Sequence, residues 1–321
     1  MRRRDWLLAA AAMGMAPLTR AQQPKHKLVF LHDATAERFR PLLAIFKTRL
    51  AELGHAEGRD FAVEARYTEG RTERVAALAR EVVALKPSVI VTGGSAAIAA
   101  LQKATTSIPI VFATAGAPVE QGFVKSLARP GGNITGASLR GMGGATLQLI
   151  RDCLPGARRV ALLSYEPDPV AKRNAGDYLG SAPGSGHDVS VVWVKDAAGF
   201  EGAFAEIAAR KADAVILPPL SFFFVHAEAL AALALRARVP LFSQIRPAAA
   251  AGGLVSYSPD VSENYRRAAS LVDRILRGAK PGDLPVEQPD RFVLTVNLRT
   301  AKALGIRIPQ SVLLRADEVI Q

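Results

Sequence analysis

Residues 108–138 read IPIVFATAGAPVEQGFVKSLARPGGNITGAS, and this stretch decides the fold. Ile108 to Ala113 is a short apolar run of strand type. A loop of small residues follows, Thr114-Ala115-Gly116-Ala117-Pro118, where the spacing predicts the start of a helix. Arg129-Pro130-Gly131-Gly132-Asn133 then reads as a helix stop and a turn. A strand end facing a helix start is where open α/β sheets bind ligands. Gly93-Gly94-Ser95, after the strand-like run SVIVT (Ser88–Thr92), repeats the arrangement. Both loops are expected to line a small-molecule cleft.

Upstream, KLVFL (Lys27–Leu31) reads as a strand ending in His32-Asp33-Ala34-Thr35. Phe39, Leu42, Leu43, Phe46, Leu50 and Leu53 then recur at helical spacing, and Gly54 closes that helix. Phe61 to Ala65 alternates as a strand does, and Val75, Leu78, Val82 and Leu85 mark a second amphipathic helix. The order βαβαβαβ predicts a parallel, doubly wound sheet. A second series follows a break near 138–145. It has a linking helix (Thr146–Leu154), strands at 159–164, 189–194, 212–217 and 240–243, and helices between them, with a loop at 181–188. A strand ending at Pro259, a helix over 261–277, a proline-rich crossing segment over 280–291, a strand at 292–296 and a helix at 298–304 complete the chain. The expected fold is α/β, with two Rossmann-like, doubly wound parallel-sheet lobes joined by a multi-strand hinge. Residues 22–140 with 245–284 would form the first lobe, and 141–244 with 285–321 the second. Such an architecture suits closure of a cleft around a ligand.

Composition narrows the function. The chain has 321 residues, 49% of them apolar and 22% charged, enough for a sizeable core. The net charge of +12 is spread along the chain and not interleaved with aromatics, so it reads as a solvated surface and not a nucleic-acid footprint. Residues 1–21 have the form of an export signal: Arg2-Arg3-Arg4, an apolar run from Leu7 to Leu18 too short to span a bilayer, and Ala21 at a cleavage position. Arg3-Arg4-Asp5-Trp6-Leu7 also resembles a twin-arginine motif, which leaves two export routes open. A soluble monomer in the periplasm is the expectation. The single cysteine, Cys153, has no partner for an intrachain disulfide and reads as a small buried thiol.

Several segments point to a family. GGSAAIAALQKATTSIPIVFATAGAP (Gly93–Pro118), FVKSLARPGGNITG (Phe123–Gly136), LAELGHAEGRDFAVEARYTEGR (Leu50–Arg71), ILRGAKPGDLP (Ile275–Pro285) and NLRTAKALGIRIP (Asn297–Pro309) occur in that family's order. Together they resemble the ABC-transporter substrate-binding proteins that include tryptophan-binding lipoproteins. The resemblance covers essentially the whole chain beyond the signal. It implies a type I periplasmic-binding-protein fold, no catalysis, no cofactor or metal, a small-molecule ligand such as an amino acid or other small carboxylate, and delivery to an inner-membrane ABC permease. One position departs from the family: Ala117-Pro118 stands where relatives usually carry Asp-Pro, a carboxylate expected to cap a helix or to face the ligand.

Candidate ligand-binding residues sit just beyond predicted strands. Asp33 and Thr35 can meet an ammonium or hydroxyl, or cap the first helix. Gly94, Ser95 and Ala96 offer backbone N–H groups at a helix N-terminus, suited to a carboxylate. Thr114 and Ala115 hold the equivalent place in the next unit. From the second lobe come Tyr165, Ser221, Phe222, Gln244 and Tyr257; the aromatic ones can stack on a planar ligand or merely wall the cleft. Catalytic patterns are missing: Gly93–Ala97 is not a nucleophile elbow, no phosphate-loop lysine or dinucleotide glycine pattern occurs, and the five histidines lack metal-ligand spacing. Two other readings stay open on sequence alone, a sensory binding protein that docks on a receptor kinase and a two-lobed α/β enzyme such as a transferase.

Overall fold

A computed structural model describes residues 24–33, 35–139, 142–168 and 171–321; residues 1–21, read from sequence as an export signal, lie outside the described residues. The first lobe contains β1 (His26–His32), α1 (Ala36–Glu52), β2 (Phe61–Tyr67), α2 (Val75–Ala84), β3 (Val89–Gly93), α3 (Ser95–Ala104), β4 (Ile110–Thr114) and β5 (Ile134–Gly136). Its sheet is parallel throughout, in the order β2-β1-β3-β4-β5. The central strands read as continuous apolar runs because helices cover both faces. Leu28 and Phe30 point to one side, with Phe39, Phe46 and Leu50 of α1. Val29 and Leu31 point to the other, with Val75, Ala79 and Val82 of α2. Each such fully buried side chain contributes about 1.5–3 kcal/mol.

The second lobe contains α4 (Gly143–Cys153), β6 (Arg159–Tyr165), α5 (Ala171–Ser185), β7 (Asp188–Val194), α6 (Phe200–Ala209), β8 (Ala214–Leu217), α7 (Ser221–Val225), α8 (Ala227–Arg236), β9 (Leu241–Ser243), α9 (Arg246–Ala250) and β10 (Val255–Pro259). The chain then returns to the first lobe as α10 (Val261–Leu276), which packs on α1 and β4. It ends in the second lobe with β11 (Phe292–Asn297), α11 (Leu298–Leu304), α12 (Gln310–Leu313) and β12 (Glu318–Ile320). The seven strands are ordered β12-β11-β10-β9-β8-β6-β7. Pairing is parallel except between β10 and β11. Thus the two lobes are α/β units, each built on a mainly parallel sheet.

Three details differ from the sequence expectation. No helix follows Pro118. The backbone makes one turn, with Gln121 N–H donating to the Ala117 carbonyl at 3.0 Å, and Gly122 at φ +71° ends it. The segment instead spends its hydrogen bonds on the returning chain: Gly131 donates to Gly282 and Val286 to Leu127. Next, α5 runs on to Ser185, through the span read as a loop and despite Pro183, because Ala175, Tyr178 and Ala182 bury one face of it. Lastly, residues 245–259 join the second sheet through α9 and β10, whereas the expectation placed 245–284 wholly in the first lobe.

Chain crossings join the lobes after β5, between β10 and α10, and between Val286 and β11. They are laced together. Ala137 bridges to Glu287, Ser138 N–H donates to the Glu287 carbonyl at 2.8 Å, and Asn264 Nδ2 reaches the Ser138 carbonyl. Arg267 holds Asp290 at 2.7 Å and donates to the Gln288 carbonyl at 2.9 Å. Cys153 is buried, and burial pushes its thiol up to about 12, which makes it unreactive at neutral pH.

Candidate ligand-binding site

In the first sheet the strand order reverses between β1 and β3, and in the second between β6 and β8. Open α/β sheets bind ligands at such switch points. Here the two switch points face each other. Asp33 follows β1 and Gly94 follows β3; the loop of Tyr165–Asp168 follows β6 and Ser221 follows β8. The Asp33 carboxylate accepts a hydrogen bond from the Ser221 hydroxyl across the interface. Gly94 sits directly beneath this contact. A Cβ there would lie 2.4 Å from Asp33 Oδ2 and 2.7 Å from Ser221 Oγ, and φ is +84°. Glycine is therefore required twice, for space and for backbone conformation.

Further contacts draw the lobes together on the same side. Thr72 Oγ1 and the Tyr165 hydroxyl are 3.5 Å apart. Arg38 pairs with Glu228 at 3.0 Å. Phe224 packs against the hydrophobic cores of both lobes.

Two cavities remain in the cleft. The larger, about 610 Å³, is the more polar of the two and is reached by Ser95, Thr114, Ser138, Asn174, Tyr178 and Gln244. The other, about 390 Å³, is mainly apolar, with Phe39, Leu42, Leu220, Phe224 and Tyr265 in its wall. Thr114, Leu139, Pro219, Leu220, Ser221 and Gln244 line both, so they form the partition between the two chambers.

The predicted residues separate into groups. Gly94, Ser95, Thr114, Ser221 and Gln244 line the polar chamber. Gly94 is the N-cap of α3, which leaves Ser95 as its first residue, and no side chain caps this helix. Thr114 Oγ1 accepts from the Gly94 N–H at 3.2 Å, tying the two first-lobe loops together. Asp33, Ala96, Tyr165, Ser221 and Phe222 surround a third, very small space at the seam. Tyr165 and Phe222 stack on each other, ring centroids 3.9 Å apart, and are buried as a pair. The remaining three do not line these cavities. Thr35 caps α1, accepting from the Arg38 N–H. Ala115 is buried, and its carbonyl accepts from Leu139 at 2.6 Å. Tyr257 packs on Phe292 near the hinge.

Sequence reasoning missed the contribution of α5. Arg173, Asn174, Asp177 and Tyr178 share one side of it and line the polar chamber. The i, i+4 spacing of Asn174 and Tyr178 was the available signal. Tyr178 is anchored by Gln244, whose Nε2 donates to the Tyr178 hydroxyl at 2.5 Å and to Thr146 Oγ1 at 3.2 Å. His32 was also missed; its Nε2 lies 2.8 Å from the Tyr265 hydroxyl, and burial lowers its pKa to about 4, so it stays neutral. Ala117 holds a left-handed backbone at φ +43° on the chamber wall. With no helix after it, the carboxylate usual in relatives would have no helix to cap there.

These features define a two-lobed α/β protein with cavities between facing switch points. The ABC transporter substrate binding protein family matches residues 36–320, and the chain belongs to that family. It is a non-catalytic component of an ABC transporter that binds a small molecule for a permease. A curated relative, a tyrosine-binding protein of Clostridioides difficile, is 22% identical over 262 residues, covering 82% of this chain and 76% of the relative. Among solved structures, an ABC domain from Streptococcus pneumoniae in complex with L-Trp is 24% identical with a TM-score of 0.87, covering 92% of this chain and all of its own. A Clostridium difficile substrate-binding protein in its ligand-free, open form is 19% identical with a TM-score of 0.69, covering 92% and 99%. A leucine-binding protein from Thermotoga maritima, with a TM-score of 0.58 at 13% identity over 78% of this chain and 83% of its own, shares the type I periplasmic-binding fold. Among the described residues no helix is long and apolar enough to cross a membrane.

Proposed function

We propose that this chain serves an ABC importer as an exported binding protein, capturing an amino-acid-like ligand with an aromatic or large apolar side chain. The observation that carries this reading is the two-chamber cleft. A polar chamber with a helix N-terminus and several hydroxyl and amide groups suits a ligand's head group. The adjoining chamber of Phe39, Leu42, Leu220, Phe224 and Tyr265 suits a ring. Ser95 and the α3 N-terminus are assigned to the ligand carboxylate, and Gln244 and Tyr178 to its remaining polar groups. Two similar proteins, one a tyrosine-binding protein and one in complex with L-Trp, support an aromatic amino acid.

Binding by hinge closure fits the contacts across the seam. The higher TM-score against the L-Trp complex than against the open relative supports a closed arrangement here. Closure adds contacts from the second lobe that an open form lacks, and those contacts set the affinity. Export to the periplasm is supported by residues 1–21.

A thermal-shift screen of the chain without residues 1–21, against amino acids, aromatic acids and other small carboxylates, tests the reading. A true ligand raises the melting temperature with saturation, by about 2.7 kcal/mol of added stability at 100 times its Kd. Absence of any shift across aromatic and branched apolar amino acids and their carboxylate analogues would overturn the ligand class.

A further inference from the structure

Among the described residues, Asp33 is the one carboxylate of the first lobe buried at the seam, 5% exposed. Its Oδ2 lies at the Ser221 contact, beneath which Gly94 leaves no room. Its Oδ1 is buried and has no hydrogen-bond partner. Leaving a buried carboxylate oxygen unpartnered is costly, and more so than for a neutral group. A second carboxylate, Asp168 of the opposite lobe, raises the cost further by repulsion. Between them lies a space of about 10 Å³, large enough for one water-sized group. Thr68, Thr72 and Ser221 bring hydroxyls to its wall, and the Tyr165–Phe222 stack closes one side. Among the described residues no lysine, arginine or histidine lines it. The Arg74 guanidinium donates to the Thr68 carbonyl at 3.4 Å.

We propose that this seam is a site for one small cationic group, held by Asp33 and Asp168 with the hydroxyls of Thr72 and Ser221, and that filling it locks the lobes together. An ammonium carried by the cleft ligand and a free monovalent cation share this chemistry. The first source rests on the ligand class proposed above; the second does not. The space meets the polar chamber at Asp168 and Ser221, which line both. An ammonium can therefore enter it from a ligand seated in that chamber. A cation here neutralises two like charges that closure brings together from opposite lobes.

The test has two arms, each run on the wild type, Asp33→Asn and Asp168→Asn. In the first, calorimetry compares L-tyrosine and L-tryptophan with 3-(4-hydroxyphenyl)propionate and indole-3-propionate, which lack the amine. The expected result is at least about tenfold tighter binding of the amines by the wild type, falling to within about threefold in Asp33→Asn. The deaminated acids should keep their affinity in that variant, which also shows that it is folded. In the second arm, ammonium chloride and potassium chloride are titrated at constant ionic strength while the melting temperature is followed. A saturable rise in the wild type that is absent from Asp33→Asn assigns the site to a free cation. Equal binding of amines and deaminated acids, together with no saturable cation effect, overturns the proposal. So does amine discrimination that survives in both variants. Failure of all four organic probes while the cation effect persists would refute the ligand class and leave the seam site standing.

Discussion

The two lobes build their sides of the larger chamber by opposite means. The first lobe offers backbone and very small side chains: Gly94, Ser95, Thr114, Gly116 and Ala117. The second offers longer side chains, Arg173 and Asn174 with Tyr178 and Gln244, the last two joined by a hydrogen bond. A surface made of backbone is ruined by adding an atom. A surface made of side chains is ruined by removing one. The difference teaches where each lobe stores its specificity: in loop geometry on one side, in side-chain networks on the other.

Adding one carbon at Gly94 should have the largest effect. Gly94→Ala brings a Cβ within 2.4 Å of Asp33 Oδ2 and 2.7 Å of Ser221 Oγ, in a backbone region alanine disfavours. Ligand affinity measured by calorimetry should fall by roughly 100-fold or more, about 2.7 kcal/mol. The same substitution at Gly132, which lines none of the cavities and where a Cβ meets nothing within 4 Å, is the control and should bind normally. Equal loss at both glycines would break the comparison.

Titrating the seam comes next. Burial first, and then the nearby Asp168, push the Asp33 pKa up from 3.8 to about 7, against the lowering effect of the Ser221 hydrogen bond. The closed form therefore holds a proton that an open or unfolded chain releases between about pH 4 and pH 7. Stability of the empty closed form should decline as pH rises through that window and level off above about 7. Thermal unfolding of the ligand-free protein across this range, with Asp33→Asn in parallel, reads the effect. An unchanged slope in the variant would move the titration elsewhere.

The smallest effect expected is on the side-chain face. Tyr178→Phe removes the acceptor for Gln244 Nε2, leaving it the Thr146 hydroxyl. Chemical denaturation should show a loss of about 1 kcal/mol. The cleft shape is retained, so apolar ligand portions should bind as before. A loss as large as that of Gly94→Ala would mean that the second lobe, too, relies on exact loop placement.

The same contrast explains what could be read from sequence. The alternation of strands and helices was legible because buried parallel strands such as Leu28–Leu31 and Val89–Val91 are continuous apolar runs set between amphipathic helices. Gly94, Ser95 and Thr114 were legible because strand ends and helix starts fix their place. The lobe membership of β10 was not, since an apolar strand carries no mark of which sheet it will join. Nor was the turn after Pro118, where local helix signals lost to hydrogen bonds with residues about 150 positions away, Gly282 and Val286 among them. On α5, Pro183 and three glycines at 176, 180 and 184 obscured a helix that burial of Tyr178 sustains. The polar face it presents to the cleft went unread with it.

Phe224, shared by the hydrophobic cores of both lobes, would make the proposed hinge opening sensitive to temperature. Opening the lobes moves part of its ring into water, and that apolar restraint weakens on cooling, while the repulsion between Asp33 and Asp168 does not depend on apolar hydration. In the cold the balance shifts toward open lobes. On the proposed hinge mechanism only the open form admits a ligand, so a larger share of molecules would be ready for capture when diffusion is slowest.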